Sequence, residues 1–257
     1  MRTRYLVAVP LLAALLGGPA VAGCTDDGDG DGGDWDDAVV AYVGEVAITE
    51  AEVDQLAGSV RTEIAAEIEQ ELERLTDEMD EAELAEHRER RFGELDQQVA
   101  VTRTRVIEMR ILTEAADRHI AAEGLDPPEV PQSAIDQQAT DLGLSASNAY
   151  VLLVTDFLST LGVLQRTVEA VEPSETEQRE VYDNLVAEGL TTVPFEEARA
   201  VLNQELMGQQ VSIRNLLADV VDRAGVRVSP AYDLVYRVPV PVGDGQSWLA
   251  LPLSDRS

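Results

Sequence analysis

The chain has no lysine; all 19 of its basic residues are arginine. Schiff-base catalysis and a P-loop lysine are therefore excluded. Positive charge is scarce altogether: 19 basic residues face 49 acidic ones, and the formal net charge is −30. Such a chain repels a phosphate backbone, so nucleic acid is not an expected partner. A single cysteine, Cys24, rules out intramolecular disulfides and cysteine-rich zinc sites. The only two histidines, His87 and His119, stand in helical stretches with no Ser-His-Asp or metal-like spacing around them. No catalytic residue, metal site or cofactor is expected. Aromatic residues make up 4% of the chain, too few for a β-sandwich or a carbohydrate-binding platform. The apolar stretch that follows Ser147 carries Asp156 near its middle, which argues against a membrane span.

What the chain does have begins at its start. "MRTRYLVAVPLLAALLGGPAVAG" sets Arg2 and Arg4 before an apolar run, Leu6 to Leu16, and then small residues. That is the layout of a secretory signal peptide. "Val21-Ala22-Gly23-Cys24" resembles the lipobox of bacterial lipoproteins. The resemblance implies cleavage before Cys24 and a diacylglycerol or palmitate-type anchor on its sulfur. Without residues 1–23, 17 basic residues against 49 acidic ones leave a net charge of −32. Asp27, Asp29, Asp31 and Gly32 imitate the opening of an EF-hand loop, but the closing glutamate position is Ala38. Residues 24–37 read instead as a solvated acidic tether.

Local signals then define the elements. "VVAYVGEVAI" (39–48) is β-branched around Gly44-Glu45 and reads as a strand or tight hairpin. Thr49 with Glu52, and Asp80 with Glu83, are capping boxes that open two long helices. In the second helix Val99, Val106, Ile107, Ile111, Leu112, Ala115 and Ala116 recur at helical spacing. Gly124 and Pro127 stop it. Shorter helices are predicted over Gln132 to Leu142 and from Ser147. Another runs from Ser174, capped with Glu177, to Gly189. A last helix, Pro194 to Ala224, has a stripe of Phe195, Leu202, Leu206, Ile213, Leu216, Leu217 and Val220. "VRVSPAYDLVYRVPV" (226–240) is β-like, before a proline-rich tail over 238–257.

The two β-like ends suit one shared sheet, because each leaves backbone donors and acceptors without partners. In that arrangement Val226 and Val228 would lie beside Val40 and Val43, with the 194–224 helix covering them. The expected fold is mainly α, with a small β-sheet formed by the N- and C-terminal segments.

"AYVGEVAITEAEV" (41–53) resembles the opening of SurA-like and PrsA-like extracytoplasmic chaperones. Gly44 stands where that family has Asn-Gly. "Arg105-Val106-Ile107", Ile111, Leu112, Ala115 and Gly124-Leu125 are similar to the family's next helical segment. Ser174 to Tyr182 resembles the helix leading into its prolyl isomerase domain, Pro194 to Leu202 the helix after it, and Val226 to Tyr232 the closing strand. Twelve residues separate Tyr182 from Phe195, where the relatives carry the whole isomerase. The resemblance implies a SurA N-terminal-like helical domain over 38–237, without isomerase chemistry.

The expectation is a lipid-anchored protein on the extracytoplasmic face of the cell membrane, acting as a non-catalytic chaperone for unfolded or newly exported polypeptides. Tyr150, Leu153, Phe157, Leu158 and Leu161 are its candidate peptide-binding residues, although the same five suit a helix core. The alternative is a cell-envelope scaffold or assembly factor that docks one dedicated protein. Dispersed exposed apolar surface favours the chaperone; one compact patch favours the dedicated partner.

Overall fold

Three helices begin where the sequence supplies a reciprocal cap. Thr49, Asp80 and Ser174 accept hydrogen bonds from the backbone three residues on, and Glu52, Glu83 and Glu177 reach back to the cap. Each pair satisfies two otherwise orphaned donors. The computed structural model describes residues 35–243 and 245–254. The expected signal peptide, Cys24 and the expected tether up to residue 34 lie outside the described residues.

In chain order, strands β1 (Val39–Val43) and β2 (Val46–Thr49) lead into helices α1 (Glu50–Leu75) and α2 (Glu81–Glu123). Then come α3 (Gln132–Leu142), α4 (Ala149–Gln165), α5 (Glu175–Ala187), the one-turn α6 (Phe195–Ala198) and α7 (Gln204–Ala224). Strands β3 (Val226–Val228), β4 (Val235–Val242) and β5 (Gly245–Pro252) close the chain. Gly124, Gly143 and Gly225 adopt left-handed backbone and end α2, α3 and α7.

The ends of the domain do meet. β1 sits between β2 and β3 in an antiparallel sheet ordered β2-β1-β3. Val43 faces Val226, and Val228 faces Ala41 rather than Val40. The fold is therefore mainly α with a small sheet built from both ends of the domain. Gly44 makes the β1–β2 turn at a φ of +59°, and a Cβ there would collide with the Arg118 guanidinium.

Four expectations are corrected. Trp35 belongs to the folded unit and not to the tether: its ring meets Tyr42 edge-on at 5.3 Å, and its Nε1 donates to the Val39 carbonyl at 2.6 Å. The helix from Pro194 is broken, because Asn203 accepts from Leu206 N–H and starts α7 afresh, while Gln178 Nε2 holds the Leu202 carbonyl at 2.6 Å. α7 leaves most of the cover of β1 and β2 to α2, and lies instead against α2, β4 and β5. Residues 238–252, read as part of a tail, belong to an antiparallel hairpin in which Val238 pairs with Leu249 and Val240 with Ser247.

The main core joins these layers around Val106, Ile107, Ile111 and Leu112 of α2, Val151 and Leu164 of α4, Val211 and Leu217 of α7, and Val240 and Leu249 of the hairpin. A second, separate cluster holds Ile68, Leu72 and Leu95 where α1 and α2 run on together. No helix among the described residues is long and apolar enough to cross a membrane.

Candidate functional site

α4 is apolar on nearly every side, so its sequence alone does not say which face is core. The structure places Tyr150, Leu153 and Phe157 in the main core, and Leu161 packs against it half-buried. Leu158 is 45% exposed. The five expected peptide-binding residues therefore do not share one open surface, and four of them support the fold instead. Leu152, 44% exposed, is the other leucine that α4 turns outward. Leu158 lines a cleft of about 240 Å³ between α3 and α4, with Ala134, Gln137, Gln138, Thr155 and Ser159.

Asn148 positions this helix. Its side-chain oxygen accepts Tyr150 N–H at 2.9 Å and the Ser59 hydroxyl at 2.8 Å. Its amide donates to the Ser59 carbonyl and to Glu63 on α1. Burial would raise the Glu63 carboxyl, but hydrogen bonds from Asn148 and Ser145 outweigh it and hold the group below its usual range.

The second feature is an arm. At 1.5 Å per residue, the 43 residues of α2 extend roughly 64 Å. Its first half packs along α1, mainly on the part from Arg61 onward. Ile68, Leu72 and Leu95 are buried in the seam, with Ile64, Leu84, Phe92 and Val99 half-covered. Arg91 meets Glu71 at 3.3 Å, Arg61 pairs with Asp96, and Arg88 with Glu69. His87 lies in this seam, against Glu71 at 3.1 Å and Arg90 at 2.6 Å. These partly exposed pairs add little each, about 0–1 kcal/mol. Residues 62–100 carry fourteen acidic side chains and four arginines, so the arm is strongly anionic.

A third group sits under α2. Burial pushes the Glu108 carboxyl up to about 7, against the pull of Arg105 and Arg237. Burial, reinforced by Glu108, also raises the Tyr236 phenol, whose ring stands edge-on to Phe157 at 5.7 Å. Tyr150 is raised by burial as well, opposed by Arg105. On the same helix, burial and the neighbouring Asp156 and Glu114 raise Asp117. A carboxyl near neutral pH suits general acid–base work only where a substrate can reach it. Glu108 lines neither the α3–α4 cleft nor the larger one beside α6. Among the described residues no three His, Cys, Asp or Glu side chains converge as metal ligands. The carboxylate of Glu177 is already engaged: one oxygen caps α5 and the other pairs with Arg214.

Neither the arm nor the burial of Glu108 is expected from the sequence. The arm has a detectable signal, since α2 loses its apolar stripe before Val99. Glu108 has none, because its burial comes from α4 and β4, distant in the chain.

No protein-family model, curated protein or solved structure matches the chain.

Proposed function

We propose that this chain is a membrane-tethered extracytoplasmic protein that holds unfolded polypeptide segments and performs no chemistry on them. The observation that carries the reading is the two-helix arm. A seam of three buried side chains is a small core, and small cores open at low cost. Opening exposes Ile64, Ile68, Leu72, Phe92 and Leu95 as one apolar strip. An unfolded segment covering that strip gains about 25 cal/mol per Å² of buried apolar surface. The acidic faces beside it keep the protein soluble and attract basic clients. Val46 on the sheet, Val101 on α2, and Leu152 and Leu158 on α4 are further exposed apolar side chains, dispersed over three elements.

A second reading is favoured by one feature. Val186, Leu190 and Val193 are exposed together at the end of α5, the Tyr182 hydroxyl holds the Val193 carbonyl at 2.9 Å, and Leu190 lies over Gly245. That patch suits a scaffold with one folded partner. Fluorescence anisotropy separates the two: an unfolded polypeptide should bind the full chain while its native form does not. Preference for a folded partner would favour the scaffold.

The anchor is the other half of the proposal. Labelled palmitate fed to expressing cells should enter the wild-type chain and not Cys24→Ser, with the protein in the membrane fraction. Equal labelling of both would remove the lipid anchor from the account.

A further inference from the structure

The linker between α4 and α5 does not loop freely over the surface. Residues 165–173, the last residue of α4 and the linker after it, cross α7 at Gly208, and side chains of α7 hold this segment by its backbone. Gln204 Nε2 donates to the Ala170 carbonyl at 2.7 Å, and the Ser212 hydroxyl donates to the Glu169 carbonyl at 2.5 Å. These successive carbonyls thus point to opposite sides of the crossing, one turn of α7 down and one turn up, as in extended chain. Val171 N–H donates to the Gly208 carbonyl at 3.3 Å, and Gln209 Nε2 donates to the Gln165 carbonyl at 3.1 Å. Only glycine fits beneath the crossing. A Cβ on residue 208 would stand 2.6 Å from the Val171 oxygen and 3.1 Å from the Ala170 Cβ.

The linker gives little side-chain burial in return. Arg166, Thr167, Glu169, Ala170 and Glu172 are exposed, Val171 is 42% exposed, Val168 is half-buried, and Pro173 alone is buried. Its last two residues, Glu172 and Pro173, form one wall of an open cleft of about 490 Å³, with Gln178, Arg199 and Asn203 on other sides.

We propose that residues 165–173 are a displaceable strap, and that its release opens the Gln204–Gly208–Ser212 face of α7 to an extended segment of an unfolded polypeptide. Main-chain hydrogen bonds supply affinity without reading side chains, so the site tolerates many sequences. The open cleft receives the segment's continuation. The strap competes with the client, which lowers apparent affinity by the fraction of time the face is covered. This deepens the holding role proposed above and rests on it.

The test uses the full chain and a fluorescein-labelled peptide with the strap's own sequence, QRTVEAVEP. Val171→Pro removes the N–H donated to Gly208 and loosens the strap without touching α7. That variant should bind the labelled peptide about tenfold more tightly than wild type. Gln204→Ala added to it should cancel the gain, and an unlabelled unfolded polypeptide should displace the peptide. Val168→Asp replaces Val171→Pro if the latter loses its helical circular dichroism. Equal binding to wild type and the loosened strap, a gain that survives Gln204→Ala, or no competition by the unfolded polypeptide overturns the inference. If an unfolded polypeptide still binds the full chain in those cases, the holding role stands and only the strap fails. If it binds no form of the chain, the holding role itself fails.

Discussion

A chain ending at Gly225 should fail to fold, and not merely lose a tail. Removing residues 226–257 takes β3 from the open edge of β1, where Val40, Ala41 and Val43 are fully buried. It also removes the β4–β5 hairpin, whose Val238, Val240, Leu249 and Leu251, with the flanking Leu234 and Leu253, are all buried in the main core. At about 1.5–3 kcal/mol for each fully buried aliphatic side chain, those six alone contribute on the order of 10 kcal/mol. The whole stability of a domain is about 5–15 kcal/mol. Two polar ties go as well: the buried one from the Ser247 hydroxyl to the Val181 carbonyl at 3.0 Å, and the half-buried one from Asn184 Nδ2 to the Trp248 carbonyl at 3.0 Å. The truncated chain should show no cooperative melt and much reduced helical circular dichroism. A melt like that of the full chain would mean that the two sheets are accessories to a self-sufficient helical bundle.

Stability should fall as pH rises toward neutrality, with Glu108 the largest single contributor. Its carboxyl titrates at about 7 in the folded chain, against an ordinary value of 4.5. Below the ordinary value the group is protonated in both states and costs nothing. Between the two values the folded chain retains a proton that the unfolded chain has lost, so stability declines with pH. Above the folded value the penalty is complete. At about 1.4 kcal/mol per pH unit, its upper bound is ~3 kcal/mol, reduced by the solvent that still reaches this half-buried side chain. Glu108→Gln keeps the shape and removes the charge. Urea melts should show the variant gaining little near about pH 5 and ~2 kcal/mol near about pH 8. An equal effect at both would show that the folded carboxyl titrates like an exposed one.

Short-range signals were legible in the sequence. Thr49, Asp80 and Ser174 mark helix starts because a side-chain oxygen three residues from a glutamate satisfies donors regardless of what packs nearby. Gly124 and Gly225 mark stops because left-handed backbone favours glycine. The β1–β3 pairing was legible from the need of two lone strands for partners. The hairpin was not. Pro239 and Pro241 made β4 look like a tail, yet a strand of a two-stranded sheet has one edge without ladder bonds, and there proline is tolerated. The apolar stripe through Leu202 concealed the break that Asn203 imposes, since periodicity carries no record of a cap competing from within. For α4, hydrophobicity all round left Leu158 indistinguishable from Phe157 until α3 and the core were in place. The strap left almost no trace, because its contacts run to main-chain atoms that every residue has. Gly208 is the single hint, and a lone glycine in a helix has many explanations.

The proposed role is that this chain holds polypeptides that are not folded. Light scattering of a basic protein, heated past its own melting point beside an equimolar amount of the full chain, tests it most directly. The account predicts that aggregation is suppressed, that added salt weakens the suppression, and that the basic protein does not regain activity until it is released. Aggregation at the same rate and extent with and without the chain would contradict it.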